Sequence, residues 1–359
     1  MKIAILGTRG VPNFYGGFEQ FAQYLSVGLH QLGHDVYVYN SSDHPYQESK
    51  WNDVNIIHCY DPEKKIGTTG QFIYDLNCIL DSRKQDFDIV LQLGYTSSSV
   101  WNWLFKRNVK IVTNMDGLEW KRTKYSKITQ SFLKFAESLA VFYSDLLVSD
   151  SIGIQSYINK KYKKASVYIP YGANLVSQPD ESKLLEYSLS KYEYDLVVAR
   201  LEPENNIKTI IDGFVNSNVN RKLIIVGSTS TKFGLELKNN TCDKRVVFLE
   251  YISGIEKLDA LRFYSNLYFH GHTVGGTNPS LLEAMASNAL ICAHNNVFNE
   301  SILNADAFYF NNASQITEIV NHKLKLSSSE KINSNREKIE SLYSWGSVIN
   351  KYNDLFVKT

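Results

Sequence analysis

The sequence predicts an α/β protein built from two Rossmann-like, doubly wound domains that face each other across a cleft. Three observations support this prediction. Short apolar runs of strand length alternate with amphipathic segments of helix length throughout the chain. The 359 residues exceed what one hydrophobic core usually supports. A polar stretch that contains proline, residues 177–182, separates the strand runs into two series.

The strand runs are short and apolar, which is typical of parallel strands that helices cover on both faces. The first series comprises residues 2–6, 35–39, 54–58, 89–92, 110–114, 146–149 and 166–169. The second comprises residues 194–199, 222–226, 246–249, 267–269, 289–293 and 307–310. We therefore predict an N-terminal domain at residues 1–176, a C-terminal domain at residues 177–343 and a final helix at residues 344–359.

Charge, cysteine content and the length of apolar runs indicate which partners and which compartment to expect. The net charge of +1 gives no global attraction to nucleic acid. The four cysteines lie far apart without metal-ligand spacing, which indicates free thiols in a reducing cytoplasm. Apolar residues 3–6 form too short a run for a signal peptide, and no stretch of about 18 apolar residues could span a membrane. We expect a cytoplasmic protein, and attachment to a membrane surface stays open.

The most informative segment is residues 270–286, where a glycine-rich loop follows an apolar strand. Pro279 then opens a helix at a position where a missing N–H costs nothing. The helix N-terminus combines amide donors with the positive end of the helix dipole, and it suits phosphate or sugar oxygens. The predicted ligand contacts are His272, Gly275, Gly276, Thr277, Asn278, Ser280, Leu281 and Glu283.

This segment resembles the donor loop of retaining nucleotide-sugar glycosyltransferases of the GT-B type, in a family 4-like group. Glu283, followed by Ala-Met-Ala, matches the glutamate that holds the donor ribose hydroxyls in that family. The family commonly has another glutamate eight residues earlier, where this chain has Gly275. The resemblance therefore implies that backbone amides of the Gly-Gly-Thr run replace that carboxylate in holding the sugar.

The loop after the first strand lacks the Gly-x-Gly-x-x-Gly pattern that a nicotinamide nucleotide would require. Instead, Gly16 and Gly17 precede a helix, and glycines there allow close approach of a diphosphate or sugar. The blocks Gly-Thr-Arg-Gly-Val-Pro and Tyr-Gly-Gly-Phe-Glu resemble a bacterial subgroup that includes rhamnosyltransferases of surface-polysaccharide assembly.

The first strand of the second domain ends at Arg200, which is similar to the arginine of the family's arginine-then-lysine signature. Both cations neutralise the donor diphosphate in the family. Asn205 and Asn206 stand where the lysine would fall, and Lys208 is the predicted substitute. The resemblance places Tyr251 near the nucleobase.

Asp116 follows the strand at residues 110–114, and a carboxylate at that strand end is well placed to hold an acceptor or sugar hydroxyl. Basic and aromatic residues come next along the chain: Trp120, Lys121, Arg122 and Lys124. Two interpretations stay open for this cluster, a solvated helix face and contact with an anionic acceptor or lipid surface.

Together these features predict a retaining glycosyltransferase with Asp116, Arg200 and Glu283 as catalytic residues. The resemblance suggests transfer of L-rhamnose from dTDP-rhamnose to a lipid-linked or saccharide acceptor at the inner leaflet, in cell-surface polysaccharide synthesis. We expect neither a cofactor nor a metal, because no acidic metal-binding pair is visible. The alternatives are a nucleotide-sugar epimerase on the same scaffold and a non-catalytic sugar-binding protein.

Overall fold

A computed structural model describes residues 1–14, 16–122, 125–273 and 276–358. The chain divides into two compact units. The first comprises Met1–Gly172 together with the residues from Trp345 onward, and the second comprises Ala173–Ser344. Each unit contains a mainly parallel sheet, so the predicted fold class of two parallel-sheet α/β domains is confirmed.

The strands of the first unit are β1 (Lys2–Leu6), β2 (Asp35–Ser41), β3 (Lys50–Trp51), β4 (Val54–Cys59), β5 (Ile89–Leu93), β6 (Lys110–Asn114), β7 (Leu146–Ser149) and β8 (Val167–Tyr168). Its helices are α1 (Gly17–Gln31), α2 (Glu63–Ile66), α3 (Gly70–Ser82), α4 (Lys127–Tyr143), α5 (Ile152–Tyr162) and the C-terminal α13 (Trp345–Val357). Short 3₁₀ helices lie at Gly67–Thr69, Ser99–Leu104 and Glu119–Lys121.

Within the described residues, the sheet of the first unit has the strand order β3-β4-β2-β1-β5-β6-β7-β8. Its pairs are parallel apart from the antiparallel β3–β4 pair. Strand β3 was not among the predicted strands, because two residues are too few to give a hydrophobic pattern.

The strands of the second unit are β9 (Tyr194–Val198), β10 (Lys222–Val226), β11 (Val246–Leu249), β12 (Tyr268–His270), β13 (Ile291–His294) and β14 (Phe308–Phe310). Its helices are α6 (Ile207–Val215), α7 (Lys232–Asn240), α8 (Ile255–Tyr264), α9 (Pro279–Ala286), α10 (Val297–Leu303), α11 (Ala313–His322) and α12 (Ser329–Ser341). Further 3₁₀ helices lie at Glu181–Tyr187, Pro203–Asn205 and Lys325–Ser327. Over the described residues these strands form a parallel sheet with the order β11-β10-β9-β12-β13-β14.

Both sheets contain a topological switch point, where the strand order reverses direction. In the first sheet the point lies between β1 and β5, and in the second it lies between β9 and β12. Ligands of doubly wound sheets bind outside the carboxyl ends of the strands at such points. At the first point Gly7 has φ +85°, and a Cβ atom there would overlap the Leu93 carbonyl. Position 7, which lies where β1 and β5 end, therefore requires glycine.

The C-terminal helix α13 packs on α1, so it belongs to the first unit. Trp345 stacks on Tyr24 with ring centroids 4.5 Å apart, and Tyr352 meets Phe21 edge to face at 5.5 Å. The Asn114 amide donates to the Tyr352 hydroxyl at 3.3 Å, which joins the helix to the end of β6. Aromatic contacts of this kind stabilise a helix that is remote in sequence from its neighbours.

A buried ion pair anchors the second sheet. Both carboxylate oxygens of Asp195 accept from Arg221 Nε at 2.9 Å. Asp195 also accepts from the Asn266 amide and the Leu267 backbone N–H, each at 3.1 Å. Burial raises the pKa of Asp195, and the charge of Arg221 opposes that rise. The pair links β9 to the start of β10 and to the residues before β12.

We expect Asp195→Ala to lower the free energy of unfolding of the second unit by about 3–5 kcal/mol, because it leaves a buried guanidinium without its partner. Glu181→Ala is the matched control. It removes an exposed ion pair with Lys191, and such pairs contribute about 0–1 kcal/mol. Thermal and urea unfolding would measure both variants. Equal losses for the two would contradict an anchoring role for the buried pair.

Candidate functional site

The loops that follow β9 and β12 meet at the switch point of the second sheet. Asn206 Nδ2 donates to the Gly271 carbonyl at 2.7 Å. The Thr273 backbone N–H and hydroxyl both donate to the Glu204 carbonyl, at 3.1 and 2.9 Å. Gly271 lies so close to the first loop that a Cβ atom there would overlap the Asn205 carbonyl. These contacts fix one loop against the other.

His272 receives support from a third loop. Its backbone carbonyl accepts from Asn296 Nδ2 at 3.0 Å and from Asn299 Nδ2 at 3.2 Å. Asn296 also caps α10, because its Oδ1 accepts from the Phe298 and Asn299 backbone N–H groups. Sequence reasoning missed both asparagines. Asn296, directly before an amphipathic segment, carried the signal of a helix cap.

The hydrogen bonds of Asn205 define the tautomer of His272. Asn205 Nδ2 donates to the Arg200 carbonyl at 2.7 Å, so its Oδ1 is the acceptor that meets His272 Nδ1 at 2.9 Å. His272 Nδ1 therefore carries the hydrogen, and Nε2 of the neutral ring is an acceptor. Donation from His272 Nε2 to a sugar or diphosphate oxygen would therefore require the protonated ring.

His270 differs from its neighbour because it is buried at the end of β12. Burial, followed by the nearby His272, lowers the pKa of His270 to about 3. The ring is therefore neutral at physiological pH. It contributes no positive charge toward an anionic ligand.

The N-terminus of α9 is capped from within the chain. Asn278 Oδ1 accepts from the Ser280 backbone N–H at 2.9 Å, and the Asn278 carbonyl accepts from the Leu281 and Leu282 N–H groups. Pro279 has no N–H. The amides of Ser280 and Leu281, two of the predicted ligand contacts, therefore donate within the chain in this structure. The dipole of α9 still favours an anion at this end of the helix. Backbone amides that bind such an anion would belong to the residues before the helix.

Side chains at this helix start are also engaged. The Ser280 hydroxyl meets the Tyr268 hydroxyl at 2.6 Å and donates to the Val198 carbonyl at 3.2 Å. Leu281 is fully buried. Thr277 is buried and Gly276 is half-buried, whereas Gly275 lies outside the described residues. The predicted contacts of Ser280 and Leu281 thus serve internal packing.

Two predicted cations behave differently. Arg200 is exposed at the end of β9, and its guanidinium makes no ion pair within the described ranges. Lys208 Nζ contacts Asp212 Oδ2 at 2.6 Å on the exposed face of α6. The lysine therefore extends toward the C-terminal part of its helix. Arg200 is the cation at the strand end that stays available to a diphosphate.

Glu283 has a partner that sequence reasoning missed. Arg262 on α8 donates from Nη2 to Glu283 Oε2 at 2.5 Å and from Nη1 to Asp259 Oδ1 at 3.4 Å. Arg262 is 2% exposed, whereas the Glu283 side chain is 21% exposed. A single arginine within a helical segment gives no signal of this burial. Tyr251, the predicted neighbour of the nucleobase, is exposed after β11.

In the first unit, Gly16 and Gly17 lie at the N-terminus of α1. Gly16 gives this helix no side-chain cap. Glu19, in the first turn, accepts from the Arg9 backbone N–H at 2.8 Å and from the Thr8 hydroxyl at 3.4 Å. The Arg9 guanidinium pairs with Asp61 at 3.1 Å. Glu19 and Arg9 thus hold the loop after β1, and the glycines are exposed.

Asp116 has an unusual backbone conformation after β6. Its φ of +40° lies in the left-handed region, and its backbone N–H donates to Asn114 Oδ1 at 3.1 Å. Burial, with the Asp116 charge as the next cause, raises the pKa of Tyr171. Uncommon backbone conformations cluster at binding sites. The Asp116 side chain is half-buried and lies at the edge of the sheet where the strands have their carboxyl ends.

The basic cluster after Asp116 is largely structural. Trp120 Nε1 donates to buried Glu137 at 3.1 Å, and Lys134 Nζ lies 4.4 Å from the centroid of the indole. Arg122 pairs with Glu119 at 2.7 Å, and both side chains are mostly buried. Lys121 is exposed, and Lys124 lies outside the described residues. Trp120 and Arg122 therefore pack within the unit.

The described residues contain no group of three or more His, Cys, Asp or Glu side chains arranged to hold a metal ion. The helices among them include none with the length and apolar character needed to cross a bilayer.

Two family models match the chain. Residues 1–174 match the model described as Domain of unknown function (DUF1972), and residues 186–340 match the model described as Glycosyl transferases group 1. No curated protein matches the sequence.

Solved structures share the whole fold. Sucrose-phosphate synthase from Thermosynechococcus elongatus is 16% identical, with a TM-score of 0.79, 99% of this chain covered and 98% of the other. HepE from Anabaena in complex with UDP is 14% identical, with a TM-score of 0.79 and full coverage of both chains. A glycosyltransferase from Rickettsia africae is 16% identical, with a TM-score of 0.73 and coverage of 99% and 98%. The chain is a glycosyltransferase, and residues 186–340 of its second unit match the Glycosyl transferases group 1 model.

Proposed function

We propose that the chain transfers a sugar from a nucleotide diphosphate donor to an acceptor hydroxyl, with retention at the anomeric carbon. The observation that carries this proposal is the junction of the loops after β9 and β12, which joins Arg200, Asn205 and His272 through hydrogen bonds. HepE from Anabaena, which has a similar fold, is solved with UDP and with UDP-glucose. That similarity supports a nucleotide-sugar donor.

Departure of the diphosphate is the step that this site would assist. The bond between the anomeric carbon and the diphosphate oxygen breaks, and the acceptor oxygen bonds to the same face of the sugar. The acceptor proton passes to the departing phosphate. Arg200 and the positive end of the α9 dipole would stabilise the negative charge that develops on the phosphate. With Lys208 paired to Asp212, Arg200 is the main cation.

The donor contacts proposed in the second unit are Arg200, Tyr251, His272, the Gly-Gly-Thr run that starts at Gly275, and Glu283. In the first unit, the exposed backbone of Gly16 and Gly17 would suit a phosphate or sugar, and Asp116 would accept a hydrogen bond from a hydroxyl of the acceptor or sugar. We propose that none of these contacts needs a metal ion, because Arg200 supplies positive charge at the diphosphate.

The donor and acceptor classes follow from the resemblance of the first unit. We propose dTDP-L-rhamnose as the donor and a lipid-linked saccharide of surface-polysaccharide synthesis as the acceptor. A lipid-linked acceptor requires the enzyme to work at a bilayer surface. The first unit has a surface that suits this requirement.

That surface is the outer face of α4. Ile128, Phe135 and Phe142 are 84%, 56% and 73% exposed, and their spacing of seven residues aligns them along one side of the helix. Exposed Lys127 and Lys134 flank this stripe. An apolar stripe with flanking lysines is typical of helices that lie in the headgroup region of anionic bilayers.

The direct test of the transferase is a screen with UDP-glucose, dTDP-L-rhamnose, GDP-mannose and ADP-glucose in EDTA. A donor at about 100 times its dissociation constant should stabilise the second unit by roughly 2.7 kcal/mol, measured as a rise in melting temperature. Transfer is then assayed with saccharide and lipid-linked acceptors. Epimerised sugar from donor alone would favour the epimerase, and no stabilisation by any donor would contradict the proposed function.

We expect Arg200→Ala to weaken binding of the donor diphosphate by about 10–100-fold, which corresponds to a lost charge-assisted hydrogen bond. Lys208→Ala is the matched control, because its ammonium already pairs with Asp212. It should change the dissociation constant by less than about threefold. Calorimetric titration with the nucleoside diphosphate measures both. A larger loss from the lysine variant would reverse the assignment of the main cation.

Replacing both Phe135 and Phe142 with Ser should reduce binding to vesicles of phosphatidylglycerol and phosphatidylcholine by at least about tenfold. The reason is that each phenylalanine that becomes buried in the bilayer contributes about 1.5–3 kcal/mol to the free energy of binding. Leu80→Ser, an exposed apolar residue on α3, is the control and should leave binding unchanged. Sedimentation with the vesicles gives the bound fraction. Wild-type protein that stays in the supernatant would contradict the membrane assignment.

A further inference from the structure

Arg262 is the most unusual charged residue of the second unit. It lies on α8 with 2% of its surface exposed, among the largest fully buried side chains of the described chain. Removing a guanidinium from water is costly, and a buried ion pair is weak evidence for stability, since apolar residues often serve as well. Arg262 therefore calls for an explanation beyond packing.

The contacts of Arg262 point toward Glu283. Nη2 donates to Glu283 Oε2 at 2.5 Å, whereas Nη1 lies 3.4 Å from Asp259 Oδ1. Nε has no hydrogen-bond partner within the part of the chain that the structure describes. The guanidinium is thus arranged for the carboxylate on α9 at the expense of its own full hydrogen bonding.

We propose that Arg262 is a positioning residue that fixes the Glu283 carboxylate for the pentose hydroxyls of the donor nucleotide, of which a thymidine nucleotide has the 3′-hydroxyl alone. This inference rests on the proposed function. A glutamate side chain has three rotatable bonds, and a charged hydrogen bond to a buried partner fixes its plane before the ligand arrives. The ligand then meets an ordered carboxylate, so less conformational entropy is lost on binding.

The arrangement combines a rigidly held guanidinium, that of Arg262, with a partly exposed carboxylate, that of Glu283. Arg262 is held within α8, while 21% of the Glu283 side chain is exposed in the second turn of α9. Asp259 completes the group, and its Oδ1 also accepts from the Ser287 hydroxyl at 3.4 Å. Asp259 and Glu283 share one guanidinium. The Glu283 carboxylate therefore keeps capacity to accept hydrogen bonds from neutral hydroxyls.

The second unit offers a matched control. Arg221 pairs with buried Asp195 on another part of the sheet, and none of the contacts of this pair involves a predicted donor residue. A general effect of disturbing a buried arginine should appear equally in Arg221→Lys. An effect confined to Arg262→Lys separates positioning from structural support.

The experiment measures binding of UDP, dTDP, GDP and ADP by calorimetry and continues with the tightest ligand and its 2′,3′-dideoxy analogue. We expect Arg262→Lys to keep the melting temperature within about 3 °C and to weaken binding of the parent nucleotide about tenfold, because lysine lacks the planar fork. Binding of the dideoxy analogue, which lacks the ribose hydroxyls, should stay unchanged. Arg221→Lys should alter neither affinity.

A double-mutant cycle completes the test. If Arg262 acts through Glu283, the double variant of Arg262→Met and Glu283→Gln should bind no more weakly than Glu283→Gln alone. Multiplying losses, or an Arg262→Lys variant that binds the parent nucleotide like wild type, would overturn the positioning role. If wild-type protein binds none of the four nucleotides, the proposed donor function fails first.

Discussion

The close approach of Gly271 to Asn205 is the constraint on which the candidate donor site depends. No side chain fits between these two backbones, so the loops after β9 and β12 lie in direct contact. That contact places the Asn205 amide where it can join the Arg200 carbonyl to His272. The two loops can meet because the strand order of the parallel sheet reverses between β9 and β12.

Several groups at this junction are already occupied by the protein. Asn278 caps α9, Ser280 binds Tyr268, and Lys208 pairs with Asp212. Polar groups that are buried or at helix ends must be satisfied, and nearby side chains do this at low entropic cost. The positive character of the site therefore comes from Arg200 and the dipole of α9, with fewer free amides than the glycine-rich sequence suggests.

The first unit shows a comparable division between support and exposure. Trp120 donates to Glu137, a buried carboxylate that also accepts from Tyr157, Lys161 and Tyr162. Aromatic and basic side chains close in sequence can meet a buried acid as readily as a membrane. A stripe of exposed apolar side chains lies one helix later, along α4.

The sequence by itself determined the alternation of strands and helices, the parallel sheets and the strand-loop-helix arrangement around Glu283, because hydrophobic period and glycine and proline positions are local properties. The tertiary structure decided which polar groups remain open. Arg262 is an ordinary helical residue in the sequence, and only the packing of α8 beside α9 brings it to Glu283. Likewise, the pairing of Asn205 with His272 joins residues far apart in the chain, and no local pattern encodes such a contact.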